Sequence, residues 1–148
     1  AGHDEVLRRP VWIRQCEAGA APVSDARRAA ARATRLRWIG GARTDAANWD
    51  AFEALPGQPL SALAPRSQSW EAVRLWLQDL TLELDAADKD GTLPATLTLE
   101  HVWLTTDGRA VLLDDPWTTA EAAQLAAMPR RSDQKPPASP VMRAAAWM

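Results

Sequence analysis

Two adjacent carboxylates, Asp114 and Asp115, follow the apolar run Leu112-Leu113, and oxygens so paired can hold a hard divalent cation. The plainer reading is a solvated pair at the end of a hairpin strand. Arg14 follows Val11-Trp12-Ile13, where a guanidinium could grip a phosphate, although a strand-end charge in water is the commoner outcome. His101 reads more simply as a satisfied strand histidine than as a ligand or switch. Cys16 has no sequence neighbour that would activate its thiol. The two histidines and one cysteine lie too far apart for a metal-ligand spacing.

The elements that must position these groups follow from periodicity. Val11-Trp12-Ile13 is β-prone and gives way to the polar stretch 14 to 19. Ser24 offers an N-cap, and Ala26, Ala29, Ala30, Ala33 and Leu36 recur at helical spacing, which predicts a helix over 24–36 that Gly40-Gly41 stops. Its arginines read as a wet face that could dock an acidic partner. A second strand is expected over 48–55, before the turn pair Pro56-Gly57. Ser69 precedes the strongest helical pattern, in which Trp70, Val73, Leu77, Leu80 and Leu84 mark one side until the acidic stretch 85 to 91. Two β-prone runs then flank Asp107-Gly108, the signature of a hairpin. Trp70, Trp76 and Trp103 are expected in the core, because an indole buries more area than any other side chain here.

The chain of 148 residues suits one domain, assigned to 1–127, with a Pro-rich linker or tail over 128–148. No apolar run approaches the roughly 20 residues that span a bilayer, and the charged first ten residues do not read as an export signal. With a single cysteine, a reducing, cytoplasmic setting is expected. A net charge of -2 removes the basic face that nucleic-acid binding requires.

Strand, helix, strand, Pro-Gly turn, long helix, polar loop, hairpin and Asp succeed one another in the order of a protein kinase from its third strand to its metal-binding loop. Val11-Trp12-Ile13-Arg14 resembles V-A-I-K, Phe52 to Gly57 resembles the hinge between the lobes, and 59–63 the short helix after it. Residues 94–104 resemble the catalytic loop and its following strand, and Leu112-Leu113-Asp114-Asp115-Pro116 resembles the approach to D-F-G. The resemblance covers roughly residues 10–117. It implies an α+β, partial protein-kinase-like fold truncated at both ends: a small antiparallel sheet with a helix, a hinge, a long helix and a β-hairpin. It also implies that Arg14, Glu53, Leu55 and Asp114 would line a nucleotide cleft, with Asp114 the one surviving metal ligand. ATP and magnesium are the cofactors it suggests.

The departures from the family decide the expected function. Thr96 replaces the catalytic-loop Asp, and a neutral hydroxyl cannot accept the substrate proton. His101 stands for the second metal-binding Asn, Arg14 for the phosphate-gripping Lys, and alanines and arginines for the acid of the intervening helix. No residue is assigned a catalytic role. The expectation is a bacterial-type pseudokinase segment that regulates or scaffolds through protein contacts, with self-association if the long helix keeps an uncovered apolar side. Two alternatives are an atypical ATP-dependent phosphotransferase using Arg14 and Asp114, and a small α+β interaction domain with a Pro-rich ligand tail.

Overall fold

A computed structural model describes residues 2–4 and 9–116. It is α+β, with two small antiparallel sheets and one long helix. The first sheet contains β1 (Gly2–Asp4), β2 (Arg9–Gln15), β3 (Trp38–Arg43) and β4 (Asn48–Glu53), in the order β1-β2-β4-β3. The second contains β5 (Gly57–Pro59), β6 (Val102–Thr105) and β7 (Ala110–Leu112), in that order. A short helix α1 (Asp25–Ala29) follows β2, and α2 (Trp70–Asp90) joins β5 to β6 through single 3-10 turns at Leu60–Ala62 and Leu99–His101. The tail expected over 128–148 lies outside the described residues.

The main core lies between the sheets. Trp12, Leu36, Phe52, Trp103, Val111 and Leu113 form one buried cluster, with Trp38, Ala54 and Leu55 packed against it. Trp12 of β2 and Trp103 of β6 meet edge to face, with ring centroids 4.9 Å apart and planes at 70°. Each buried indole removes roughly 150–250 Å² from water, worth about 4–6 kcal/mol before ordering costs are set against it. A second cluster of Val102, Leu104 and Ala110 receives Trp76 and Leu80 from α2.

Several expectations are corrected. The helix expected over 24–36 spans only Asp25–Ala29. Ser24 does cap it, accepting a hydrogen bond from the Arg27 backbone N at 3.3 Å. The chain then turns out of helix at Ala30, where ψ is 102°, passes a turn in which Arg35 N donates to Arg32 O, and meets β7 through a parallel bridge between Arg35 and Leu112. Leu112 N donates to Thr34 O and Leu36 N donates to Leu112 O, and this pairing joins the second sheet to the segment that leads into the first. Gly40 and Gly41 stop no helix but lie inside β3. A side chain at Gly41 would meet Asp50 Oδ1 at 2.5 Å and Trp49 O at 2.7 Å, so the close approach of β3 and β4 requires glycine there. The Pro56-Gly57 turn leads into an unexpected strand, β5, whose Gly57 lies against Leu104 O of β6.

α2 forms as expected from its Ser69 cap but continues through the acidic stretch to Asp90, where Gly91 (φ 70°, ψ 27°) terminates it in left-handed geometry. Its orientation is the larger correction. Trp70 is 66% exposed and Leu77 52%, whereas the inward face carries Asp79, Glu83 and Ala87. Two buried acids at i and i+4 turn the helix away from its most apolar stripe, because Arg109 meets Asp79 and Arg32 and Arg35 meet Glu83 on the opposite wall. Among the described residues no helix is long and apolar enough to cross a membrane.

Candidate functional site

A cleft of about 250 Å³ opens where α1, β4 and the end of β7 converge. Ser24, Arg27, Asp50, Phe52, Thr92, Asp114 and Asp115 contribute to its walls. Its charges are already paired. Arg27 donates from Nε to both oxygens of Asp114, at 2.7 and 3.0 Å, and from Nη2 to Oδ2 at 2.6 Å. The same Nη2 also donates to the carbonyl of Leu36. Arg35 reaches Asp114 Oδ1 from the other side. Burial pushes the Asp114 carboxyl up, but the Arg27 hydrogen bonds and the charges of Arg27 and Arg35 outweigh it and hold it below the usual carboxylate range.

Arg35 extends this arrangement inward. Its side chain is buried, donates to Thr92 O at 3.0 Å and lies 3.5 Å from Glu83 Oε1. Glu83 is fully buried in α2 and accepts from Arg32 Nε at 2.9 Å, from Arg32 Nη2 at 2.8 Å and from Thr34 Oγ1 at 2.8 Å. Arg32 continues to Asp90 at 2.6 Å, and its pKa is raised above the ordinary arginine value, chiefly by the Glu83 hydrogen bond. One ionic chain, Arg27-Asp114-Arg35-Glu83-Arg32-Asp90, therefore runs from the cleft to the C-terminal end of α2.

On the opposite wall Asp50 accepts from Arg43 Nη2 at 2.7 Å, Trp38 Nε1 at 3.0 Å and Cys16 Sγ at 3.2 Å. Burial raises the Asp50 carboxyl, but Arg43, Trp38 and Cys16 together bring it below its ordinary value. Burial and the adjacent Asp50 push the Cys16 thiol up, the opposite of what a reactive thiolate needs.

The residues singled out from the sequence separate into two groups. Asp114 lines the cleft, and Arg14 borders it through an ion pair with Asp115 at 2.9 Å. Glu53 and Leu55 are not among the lining residues: Glu53 faces Arg9 at 3.7 Å, and Leu55 packs against the main core. Thr96 is exposed, and His101 is buried with its Nδ1 accepting from Thr98 N at 3.1 Å, as a satisfied histidine should. Arg27, Arg35, Asp50 and Glu83 were not singled out. Their signal was the lack of an acid between Ala26 and Arg37, together with acids interrupting the apolar side of α2. Inward arginines there demand inward carboxylates elsewhere.

The donor set around Asp114 does not fit a hard divalent cation. Both of its oxygens accept from guanidinium groups, the neighbouring Asp115 is bound to Arg14, and among the described residues no group of three His, Cys, Asp or Glu side chains could hold a metal ion. No protein-family model matches the sequence, nor does any curated protein.

Proposed function

We propose that this chain is a catalytically inactive, kinase-like module that regulates or scaffolds through protein contacts. The observation that carries the reading is the clasp of Arg27 and Arg35 on Asp114. In a kinase register Asp114 would present its oxygens to a metal ion bridging nucleotide phosphates. Here two fixed positive charges take up those oxygens, and a divalent cation brought to the same place would be repelled by both. Arg14, in the position of the phosphate-gripping lysine, is paired with Asp115 instead.

The antiparallel order β1-β2-β4-β3, followed by a long helix and a hairpin ending at Asp114, supports the kinase-like register. The cleft volume of about 250 Å³ falls below the roughly 300–1,000 Å³ usual for small-molecule sites, which favours protein contacts over a bound nucleotide. The test is thermal unfolding with and without millimolar ATP and magnesium, run beside a phosphotransfer assay. The expected result is an unmoved midpoint and no transfer. A magnesium-dependent rise of roughly 3–6 °C, which saturating ligand gives a domain of this size, together with transfer abolished by Asp114→Ala, would favour the atypical phosphotransferase.

A further inference from the structure

Along one edge of the exposed side of α2 run Trp70, Arg74, Leu77, Thr81, Leu84 and Asp88, spaced four, three, four, three and four apart, while Leu75 and Leu82 are exposed further round the helix. Trp70 and Leu77 are largely exposed, Leu84 is half-buried at the rim of an apolar groove, and Arg74, Thr81 and Asp88 are exposed. Among the described residues neither Arg74 nor Asp88 takes part in an ion pair. Apolar residues recurring at seven with polar ones between them form the seam of a two-helix contact.

The line is self-complementary when read backwards. With Thr81 on a two-fold axis, an antiparallel second copy places its Asp88 opposite Arg74, its Arg74 opposite Asp88, and its Leu84 beside Leu77. The charge pair, repeated by the axis, and the leucine contact hold in a single register. Such isologous pairing is what a two-fold dimer interface requires. Within one helix Arg74 and Asp88 are fourteen residues apart, about 21 Å at 1.5 Å per residue, so they cannot satisfy each other inside one chain.

We infer that the occupant of this face is a second copy of the same chain, paired antiparallel through α2 about Thr81. The inference rests on the protein-contact reading and names the partner. The paired seam is about 21 Å long from Arg74 to Asp88 and one helix wide, so the contact belongs with the small, reversible interfaces below about 1,200 Å². Its dissociation constant is expected on the order of 10–100 μM.

The test is sedimentation of the full chain from about 1 to 500 μM, a range set around that constant. A concentration-dependent dimer is expected, and Leu77→Glu should abolish it. Arg74→Asp and Asp88→Arg each place like charges together at both ends of the seam and should each weaken the dimer by roughly tenfold. Mixing the two single variants restores both opposite-charge pairs between unlike chains, so the mixture should dimerise at about tenfold lower concentration than either variant alone. The double variant should also recover. These positions are exposed, and recovery in the mixture shows that both variants are folded. A monomer at every concentration, or a dimer indifferent to the charge reversals, overturns the proposal. Either result leaves the inactive-module reading standing or falling on the phosphotransfer assay alone.

Discussion

Arg27 and Asp114, separated by 87 positions in the chain, are joined by a forked ion pair at 2.6–3.0 Å in which the arginine side chain is only 7% exposed. A guanidinium fork meets a carboxylate edge on, and this geometry ties α1 to the end of β7 more tightly than a single surface charge could. The same pair occupies both oxygens of Asp114, so the contact that holds the fold together also takes up the acceptors at the mouth of the cleft.

Removing one partner of a buried ion pair strands the other, which costs about 3–5 kcal/mol. Because Arg35 remains beside Asp114, Arg27→Ala is expected to cost about 2–4 kcal/mol, read from urea unfolding. Arg27→Lys should recover only part of this, since an ammonium cannot reproduce the fork. A loss below about 0.5 kcal/mol for the alanine variant, the scale of an ordinary surface change, would show that the clasp contributes little to stability.

The pH dependence has a defined sign. Asp114 and Asp79 are both held below the ordinary carboxylate range in the folded chain, Asp114 by Arg27 and Arg35 against the cost of burial, and Asp79 chiefly by Arg109. A carboxyl with a depressed folded pKa stabilises fully above its unfolded value of about 4, and that stability is lost as pH falls through the folded value. Unfolding free energy should therefore fall steeply below about pH 4, and Asp114→Asn should flatten the slope in acid titrations followed by circular dichroism.

Asp79 and Arg109 form an unequal pair. Asp79 is 6% exposed at its side chain and accepts from Arg109 Nε at 2.8 Å, Arg109 Nη2 at 2.6 Å and the buried Ala110 N at 3.1 Å, whereas the Arg109 side chain is 52% exposed. Asp79→Ala should cost about 2–3 kcal/mol, because it orphans a buried backbone donor of β7. Arg109→Ala should cost about 1 kcal/mol or less, screened as it is by solvent. Chemical denaturation of the two variants should give that order, and the reverse order would contradict it.

Gly57→Ala should be far worse than a usual glycine substitution. The new methyl would lie 2.1 Å from Leu104 O and 2.6 Å from Trp103 Nε1, contacts that only a displacement of β5 from β6 could relieve. A loss of about 3 kcal/mol or more is expected, with a matching drop in thermal midpoint. Gly91→Ala, with open space around the added methyl but φ at 70°, should cost only about 1 kcal/mol.

The parts of the fold that were legible in the sequence are those fixed by local signals. Ser69 and the apolar repeat placed the start of α2, and Asp107-Gly108 between apolar runs placed the β6–β7 hairpin. What was not legible depends on charges that find each other across the chain. Nothing local distinguishes Arg27, Arg32 and Arg35 from solvated arginines, and without them the segment after Ser24 reads as a continuous helix. Nor does Glu83 look buried until three donors are seen around it. The face of α2 was misassigned in part for the same reason: Leu80 packs on the core as expected, but apolar counting also favours Trp70 and Leu77, whereas ion pairing turns Asp79 and Glu83 inward. In the candidate site, Asp114 stood out because it follows the apolar run Leu112-Leu113 beside a second carboxylate, and its partners were missed because they lie 79 and 87 positions away.

The indoles of Trp12 and Trp103 come from different sheets and lie 4.9 Å apart at 70°. Two aromatic transitions that close and that strongly inclined couple as excitons, so the pair should give a signed couplet in the far-ultraviolet dichroism. Its amplitude falls steeply as the rings separate. The molecule thus carries its own optical gauge of the gap between its sheets, readable without a label whenever a partner, a proton or a denaturant pulls the two apart.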